Sequence, residues 1–481
     1  MAEGFLQYVH ESRCKFRFEA DRTSTDEIES GIRSLINDIV KSIEEKAPEF
    51  KILDIIPTGS SYEETKNEAP NEFDFMLVLK ELSGPGKLNL HQGCSDWYPQ
   101  IELKKDVSFP RKYMVNVNYT NRHNQYEQFL GSPRIVVQNF WKRIQQLIQE
   151  TTFGVDTPRG KLSVKHCEGR KLVFAYIHDL ENALKKTNYD PEAEKAIVFK
   201  GHVDIGVDLM LAVEHPHIAD ILSRRGFPST FEDLLSKSKC HIVAKACHTE
   251  HGANGKCWFI SFSAMERDLV YDMDPHHKQC YKILKSLFVC EISASRKIMN
   301  LSSYVLKTAF LFHVHGDNRC KKSNLSVCIK EVLEYLSSNL FHVKMPCFFA
   351  RDMNTWGHLL ETPRFSWTPS GNLKDMPHPF ELCWIKLMFE FINYLKSAVY
   401  ENRMAGTLKT KDDYEKLISK CNYFKAAASC LIKLYSDRFQ YEVYRLEEGH
   451  RTLSACNDGF FYDYLEHLKK CFGFELLFLK Q

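Results

Sequence analysis

Glu72 and Asp74 stand two residues apart in an apolar run, Asn71-Glu72-Phe73-Asp74-Phe75-Met76-Leu77-Val78-Leu79, which follows the turn Gly59-Ser60-Ser61-Tyr62. In a β-strand successive side chains alternate faces, so both acids point one way while Phe73, Phe75 and Leu77 fill the other face. Two acids on one side of a strand repel each other, a cost best relieved by a divalent cation with oxygen ligands, typically Mg²⁺. A Gly-Ser turn brings backbone N–H groups and a hydroxyl towards phosphate oxygens. The combination suits a triphosphate and its metal. An inert acid pair on an exposed edge strand is the competing reading, and a third acid shifts the balance against it. Val203-Asp204-Ile205-Gly206-Val207-Asp208-Leu209-Met210-Leu211 is a second apolar run carrying acids. Two-metal phosphoryl transfer needs carboxylates held by a rigid strand pair. Glu72, Asp74 and Asp208 meet that need if the strands are neighbours, and Asp204, on the same face, competes with Asp208.

Several elements must position these groups. Ser24-Thr25-Asp26-Glu27 offers a capping box, after which Ile28, Ile32, Leu35, Ile36, Ile39, Val40 and Ile43 recur at helical spacing. This predicts a long amphipathic helix ending near Pro48. Ser83-Gly84-Pro85-Gly86 is a loop, and Ser132-Pro133 opens a helix running through Phe140, Trp141, Ile144 and Leu147. Strands are expected around residues 161–177 and 195–214, and helices predominate from about 265. The expected fold class is α+β and bilobal: a mixed α/β N-lobe with a central twisted sheet, a helical C-lobe, and an active-site cleft between them. The corresponding division is a short segment 1–23, a catalytic lobe 24–265, a helical lobe 266–362 and a helical extension 363–481. That extension reads as apolar-faced helices from Pro379 to Asn402, Lys411 to Arg438 and Phe460 to Phe472, packed on the helical lobe or on a partner.

The stretches Thr58-Gly59-Ser60-Ser61-Tyr62-Glu63 and Ala69-Pro70-Asn71-Glu72-Phe73-Asp74 resemble the catalytic domain of the cyclic GMP-AMP synthase/male-abnormal-21 family of nucleotidyltransferases. Val207-Asp208-Leu209-Met210 resembles that family's third-carboxylate strand and favours Asp208 over Asp204. Trp258-Phe259-Ile260-Ser261-Phe262-Ser263 and Ser302-Ser303-Tyr304-Val305-Leu306-Lys307-Thr308 resemble two further family motifs, all in order. The resemblance implies a nucleic-acid-activated innate immune sensor that joins ATP and GTP, or other NTPs, into a cyclic dinucleotide. Glu72, Asp74 and Asp208 would hold two Mg²⁺ ions, with Mn²⁺ as a substitute. Gly59, Ser60, Glu266, Lys285, Ser303 and Tyr304 would contact nucleotides, Tyr304 by stacking on a base and Lys285 by reaching the phosphates. The bland readings are a core aromatic for Tyr304 and a solvated helix face for Lys278, Lys282 and Lys285. The rival functions are a non-catalytic scaffold, which commonly lacks one or more of these carboxylates, and a synthase of linear oligonucleotides.

Two departures from the family pattern stand out. Phe259 occupies the place of an arginine that contacts the acceptor guanine, and an apolar ring cannot donate to a base edge. The family's zinc insertion is reduced to His276, His277 and Cys280, with Cys290 beyond, so no structural zinc is expected there. Cys247, His248, His251 and Cys257 match no common zinc spacing and read as a surface loop. Relatives without the zinc module include receptors for double-stranded RNA, which is therefore favoured over DNA as activator; a ligand-induced homodimer is a further implication.

With 64 basic and 62 acidic residues the net charge is only +2, so any nucleic-acid surface is a local patch. No run approaches the roughly 18 apolar residues of a membrane span. Met1-Ala2-Glu3-Gly4-Phe5 has no basic-then-apolar leader, and the cysteines form no Cys-x-x-Cys. A cytoplasmic setting with reduced thiols is the expectation, without a membrane partner.

Overall fold

A computed structural model describes residues 2–14, 22–67, 71–95, 97–118, 126–158, 160–178, 202–215, 231–247, 256–288, 303–316, 320–321, 324–341, 345–351, 353, 379–401 and 409–422. The expected strand start at 195–201 and the helix at 460–472 lie outside them. In chain order the elements are α1 (Ala2–Val9), α2 (Arg22–Lys46), β1 (Ile52–Thr58), β2 (Glu72–Leu79), β3 (Leu88–Ser95), β4 (Tyr98–Leu103), β5 (Met114–Asn118) and β6 (Tyr126–Leu130). There follow α3 (Pro133–Glu150), β7 (Gly154–Thr157), β8 (Gly160–Glu168), β9 (Lys171–His178), β10 (His202–Glu214), α4 (Glu232–Ser238), β11 (His241–Val243), β12 (Phe259–Ser261) and α5 (Ser263–Tyr271). Helices α6 (Pro275–Phe288), α7 (Ser303–His315), α8 (Leu325–Phe341) and α9 (Pro379–Lys396) complete the named elements, with a further helix α10 over 411–422. The content is α+β: strands and helices alternate up to Ser261, and every named element after it is a helix. The chain divides into two compact units, one within Lys15–Asp272 and one combining Met1–Cys14 with residues from Met273 onward.

In the first unit the main sheet runs β1-β2-β10-β9-β8-β7, with β11 joining β10 to β12. Every pairing in it is antiparallel except β2 with β10, which is parallel. Strands β3, β4, β6 and β5 form a second, antiparallel sheet. The apolar stripe of α2 is buried as its spacing predicts, and with Phe140, Trp141 and Ile144 of α3 it packs on Phe73, Phe75 and Leu77 of β2. Gly31 of α2 sits so close to β7 and β8 that a Cβ there would lie 3.2 Å from Leu162 and 3.3 Å from Val155. One local expectation fails. The helix begins at Arg22, so Ser24 lies inside its first turn, where a helical residue cannot act as the non-helical N-cap of a capping box. Pro133 does occupy the first position of α3, but Ser132 supplies no side-chain cap.

The second unit is helical. Phe391 of α9 packs edge-on against Phe288 of α6 at 5.2 Å, and Ser337 of α8 donates to Asn393 at 3.0 Å. Tyr414 of α10 rests on Phe5 and Tyr8 of α1, and Tyr8 donates its hydroxyl to Glu415 at 2.6 Å. The apolar side chains described from Met388 to Leu395 of α9, and Leu417 and Ile418 of α10, are buried within the helical unit.

Candidate functional site

Strand alternation places Glu72 and Asp74 on one face of β2, with Phe73 and Phe75 fully buried on the other. The parallel register sets Asp208 of β10 directly opposite Asp74. Asp204 pairs with Ala175 of β9 in the same strand, and its carboxylate meets Lys165 at 3.1 Å on an exposed surface. Of the two aspartates on β10, Asp208 is therefore the one brought to Glu72 and Asp74.

The Gly-Ser turn closes on these carboxylates from β1. Thr58 lies opposite Asp74 in the β1–β2 register, and Gly59 adopts φ +81°, a left-handed conformation natural to glycine. A Cβ on Gly59 would stand 2.1 Å from Asp74 Oδ2, so backbone and carboxylate touch. The amides of Tyr62 and Glu63 donate back to the Gly59 carbonyl, coiling the chain through Ser60, while Ser61 Oγ donates to the Glu72 carbonyl at 2.7 Å. Tyr62 packs on Phe73 and Phe75, and the Arg33 guanidinium of α2 lies 4.9 Å above its ring. The turn is thus fixed to β2 on one side and touched by α2 on the other.

Two lysines that the spacing did not single out complete the electrostatics. Lys171 Nζ lies 2.8 Å from Glu72 Oε1 and 3.5 Å from Asp208 Oδ2, and Lys66 Nζ lies 3.1 Å from Glu72 Oε2. Burial opposes ionisation of Glu72, but Lys171 and Lys66 outweigh it and hold the carboxyl down at about 2. Asp74 is pushed up to about 6 by burial and by the charges of Glu72 and Asp208. Burial also raises Asp208, against the pull of Lys171. Lys171 itself is held charged: burial disfavours its ammonium, and Glu72 and Asp208 more than compensate. The signal for Lys171 lies in the hairpin register, since it opens β9 directly opposite Asp208. Gly206 leaves its path clear, for a Cβ there would be 2.8 Å from Lys171 Cδ. Three hard oxygen donors on two paired strands, one still holding its proton near pH 6 for want of positive charge, are a donor set that fits Mg²⁺.

Glu266 lies in the first turn of α5 and is buried. The α5 helix is tied to β1 by Arg267, which donates to the Pro57 carbonyl at 2.8 Å. Phe259 is stacked on Trp97 at 5.7 Å, with Tyr98 beside it and Lys245 Nζ 5.3 Å above the ring. It is part of an aromatic cluster. In the second unit, Lys285 is on the last turn of α6, and Ser303 and Tyr304 open α7, where the Ser303 carbonyl accepts from Tyr281 at 3.1 Å. Cys247 and Cys257 meet Cys94 of β3, a partner the spacing did not reveal; His248 and His251 lie outside the described residues.

A mixed sheet presenting two acids from one strand and a third from its parallel neighbour, beside a Gly-Ser turn, defines a nucleotidyltransferase domain. Residues 61–272 match the Mab-21 protein nucleotidyltransferase domain, and residues 276–363 match the Mab-21 protein HhH/H2TH-like domain. The chain belongs to the cyclic GMP-AMP synthase/Mab-21 family. It is 22% identical over 355 residues to "Cyclic GMP-AMP synthase" of Sus scrofa, covering 68% of this chain and 63% of that protein. Identity to "Cyclic GMP-AMP synthase" of Mus musculus is 22% over 364 residues, covering 70% and 63%. The chain therefore spans a little under two thirds of the length of these relatives. Among the described residues no helix is long and apolar enough to cross a membrane.

Proposed function

We propose that the chain is a template-independent nucleotidyltransferase that joins two nucleoside triphosphates into a cyclic dinucleotide. The observation that carries this reading is the register that sets Asp208 beside Asp74 on the face shared with Glu72. A scaffold that had abandoned catalysis would have no use for three mutually repelling acids and a glycine pressed against one of them. Glu72, Asp74 and Asp208 would hold Mg²⁺, which when bound supplies Lewis-acid stabilisation of the transferring phosphoryl group. The chain's own part is positioning. Gly59 and Ser60 present backbone and hydroxyl dipoles to the donor triphosphate, and Lys171 keeps Glu72 ionised at all physiological pH. The roles proposed for Glu266, Lys285, Ser303 and Tyr304 rest on their motifs. Because Phe259 is held in an aromatic cluster, the acceptor base is chosen without the arginine contact of the family pattern, so the second base of the product need not be guanine.

Activation by a nucleic-acid duplex in the cytosol, with RNA preferred, belongs to the same proposal. The described outer face of α2 carries Asp26, Glu29, Asp38, Glu44 and Glu45 against Arg33, Lys41 and Lys46, so that helix alone is a poor polyanion surface. The stripe Lys278, Lys282 and Lys285 on α6 is the better local patch. The test is incubation with four labelled NTPs and Mg²⁺, without ligand, with long double-stranded DNA and with long double-stranded RNA, followed by phosphatase. A phosphatase-resistant product dependent on RNA is expected. Phosphatase-sensitive products would instead identify a linear oligonucleotide synthase. Silence under every condition, with Mn²⁺ included, would favour a scaffold.

A further inference from the structure

The second unit contains a group of side chains that the proposed chemistry does not use. His277 in the first turn of α6, His313 in the last turn of α7, Cys320 in the following loop and Cys328 in the first turn of α8 converge, their ligand atoms all within 4.8 Å of one another. His277 is 2% exposed and the His313 side chain 7%, so two rings with polar nitrogens are packed inside a helical core. Buried polar groups of that kind are costly unless they are partnered. Yet His313 Nε2 is buried with no hydrogen-bond partner.

The geometry is that of a metal site rather than a disulfide. Two thiolates on one tetrahedral zinc, at about 2.3 Å each, stand about 3.8 Å apart. The Cys320 and Cys328 sulfurs are 3.7 Å apart, far beyond a bonded pair. His277 Nε2 lies 4.0 Å from Cys328 Sγ. The outer nitrogens face carboxylates: His277 Nδ1 is 3.8 Å from Asp274 and His313 Nδ1 is 3.6 Å from Glu331. Both separations are longer than a hydrogen bond, and His277 Nδ1 has no hydrogen-bond partner, but the Nδ1 side is where zinc-bound histidines meet their outer carboxylates, with Nε2 left for the ion. The Cys320 amide also donates to the His313 carbonyl at 3.2 Å, holding the loop against α7. A smaller group, His276 with Cys280 and Cys328, offers only three ligands.

We propose that His277, His313, Cys320 and Cys328 bind one structural Zn²⁺ that clamps the start of α6, the end of α7 and the start of α8. On coordination the two thiols release their protons to solvent and the four protein ligands close the tetrahedron, leaving no open position for catalysis. Such a site would depart from the expectation drawn from spacing, because the interval before Lys285 supplies a single ligand and the other three come from α7, the loop after it and α8. It is independent of whether the chain makes nucleotides.

The experiment is zinc analysis of the full chain, expressed with zinc and desalted. About one zinc per chain is expected, falling to near none in Cys320→Ser and Cys328→Ser but retained in Cys94→Ser, which tests the separate thiol group. A zinc-free wild type overturns the proposal, as does zinc that survives Cys320→Ser and Cys328→Ser or disappears in Cys94→Ser alone. Should the serine variants not fold, X-ray absorption of the wild-type zinc decides. Two sulfurs at about 2.3 Å and two nitrogens at about 2.0 Å support the assignment, and any other sulfur count overturns it.

Discussion

Asp204 and Asp208 share a strand and a face, and what separates them is the company each keeps. Lys165 reaches the first on an exposed surface, while Asp74, Glu72 and Lys171 surround the second. Asp208→Asn is therefore expected to lower nucleotidyl transfer by roughly 100-fold or more, with Asp204→Asn near wild type. Steady-state product formation by the two variants checks this, and equal losses would refute the assignment. Alternation along the chain made both acids candidates, but the choice between them and the presence of Lys171 depend on which strands pair, which spacing does not state. Lys171 supplies positive charge that a metal would also supply. Lys171→Met should consequently melt lower than wild type in chelator and gain more from added Mg²⁺, a difference thermal denaturation reads directly. Asp74 carries a pH signature as well. Its carboxyl retains a proton up to about pH 6, and a proton competes with a cation for the same oxygens. The Mg²⁺ concentration for half-maximal activity should rise as pH falls below about 6 and be flat above 7.

Among the elements, those whose periodicity is long were the easiest to read. The seven apolar positions of α2 are all buried, and the face of β2 opposite its acids is core. The N-terminal boundary of α2 escaped because a Ser-x-x-Glu pattern is equally compatible with an interior turn. The three-residue strand β11 gave no signal at all; it exists because β10 and β12 flank it on either side. Its first residue, His241, is 1% exposed and pays for that burial. Desolvation pulls its pKa from 6.5 down to about 4, with Glu214 and Asp54 opposing and Lys239 assisting. The unfolded chain thus binds a proton between pH 6.5 and 4 that the folded chain refuses. Stability from this residue is complete above about pH 6.5 and is lost as pH falls towards 4, by up to about 3 kcal/mol. Urea unfolding at pH 7.5 and pH 5 should show a drop that His241→Gln reduces. An unchanged pH dependence in the variant would place the acid sensitivity elsewhere.

At the scale of the whole molecule charge is the decisive quantity. Basic and acidic residues nearly cancel, so a polyanion meets no long-range attraction and its binding depends on a handful of close contacts. Such contacts release counterions, and affinity falls with salt by a log–log slope of about −0.9 for each phosphate neutralised on B-DNA, with single strands near −0.7. Lys278 and Lys282 lie on one face of α6, half-exposed, and neither belongs to the proposed catalytic group. If their face carries the duplex, Lys278→Glu combined with Lys282→Glu should make the salt slope shallower by about 2 and weaken duplex RNA and DNA alike. Mn²⁺-supported synthesis without ligand should stay at the wild-type rate. Fluorescence anisotropy of a labelled duplex across a salt series measures the slope, and product formation measures the rate. A slope unchanged by the double substitution would remove α6 from the activator surface, whereas loss of unliganded synthesis would mean that these lysines serve the reaction itself.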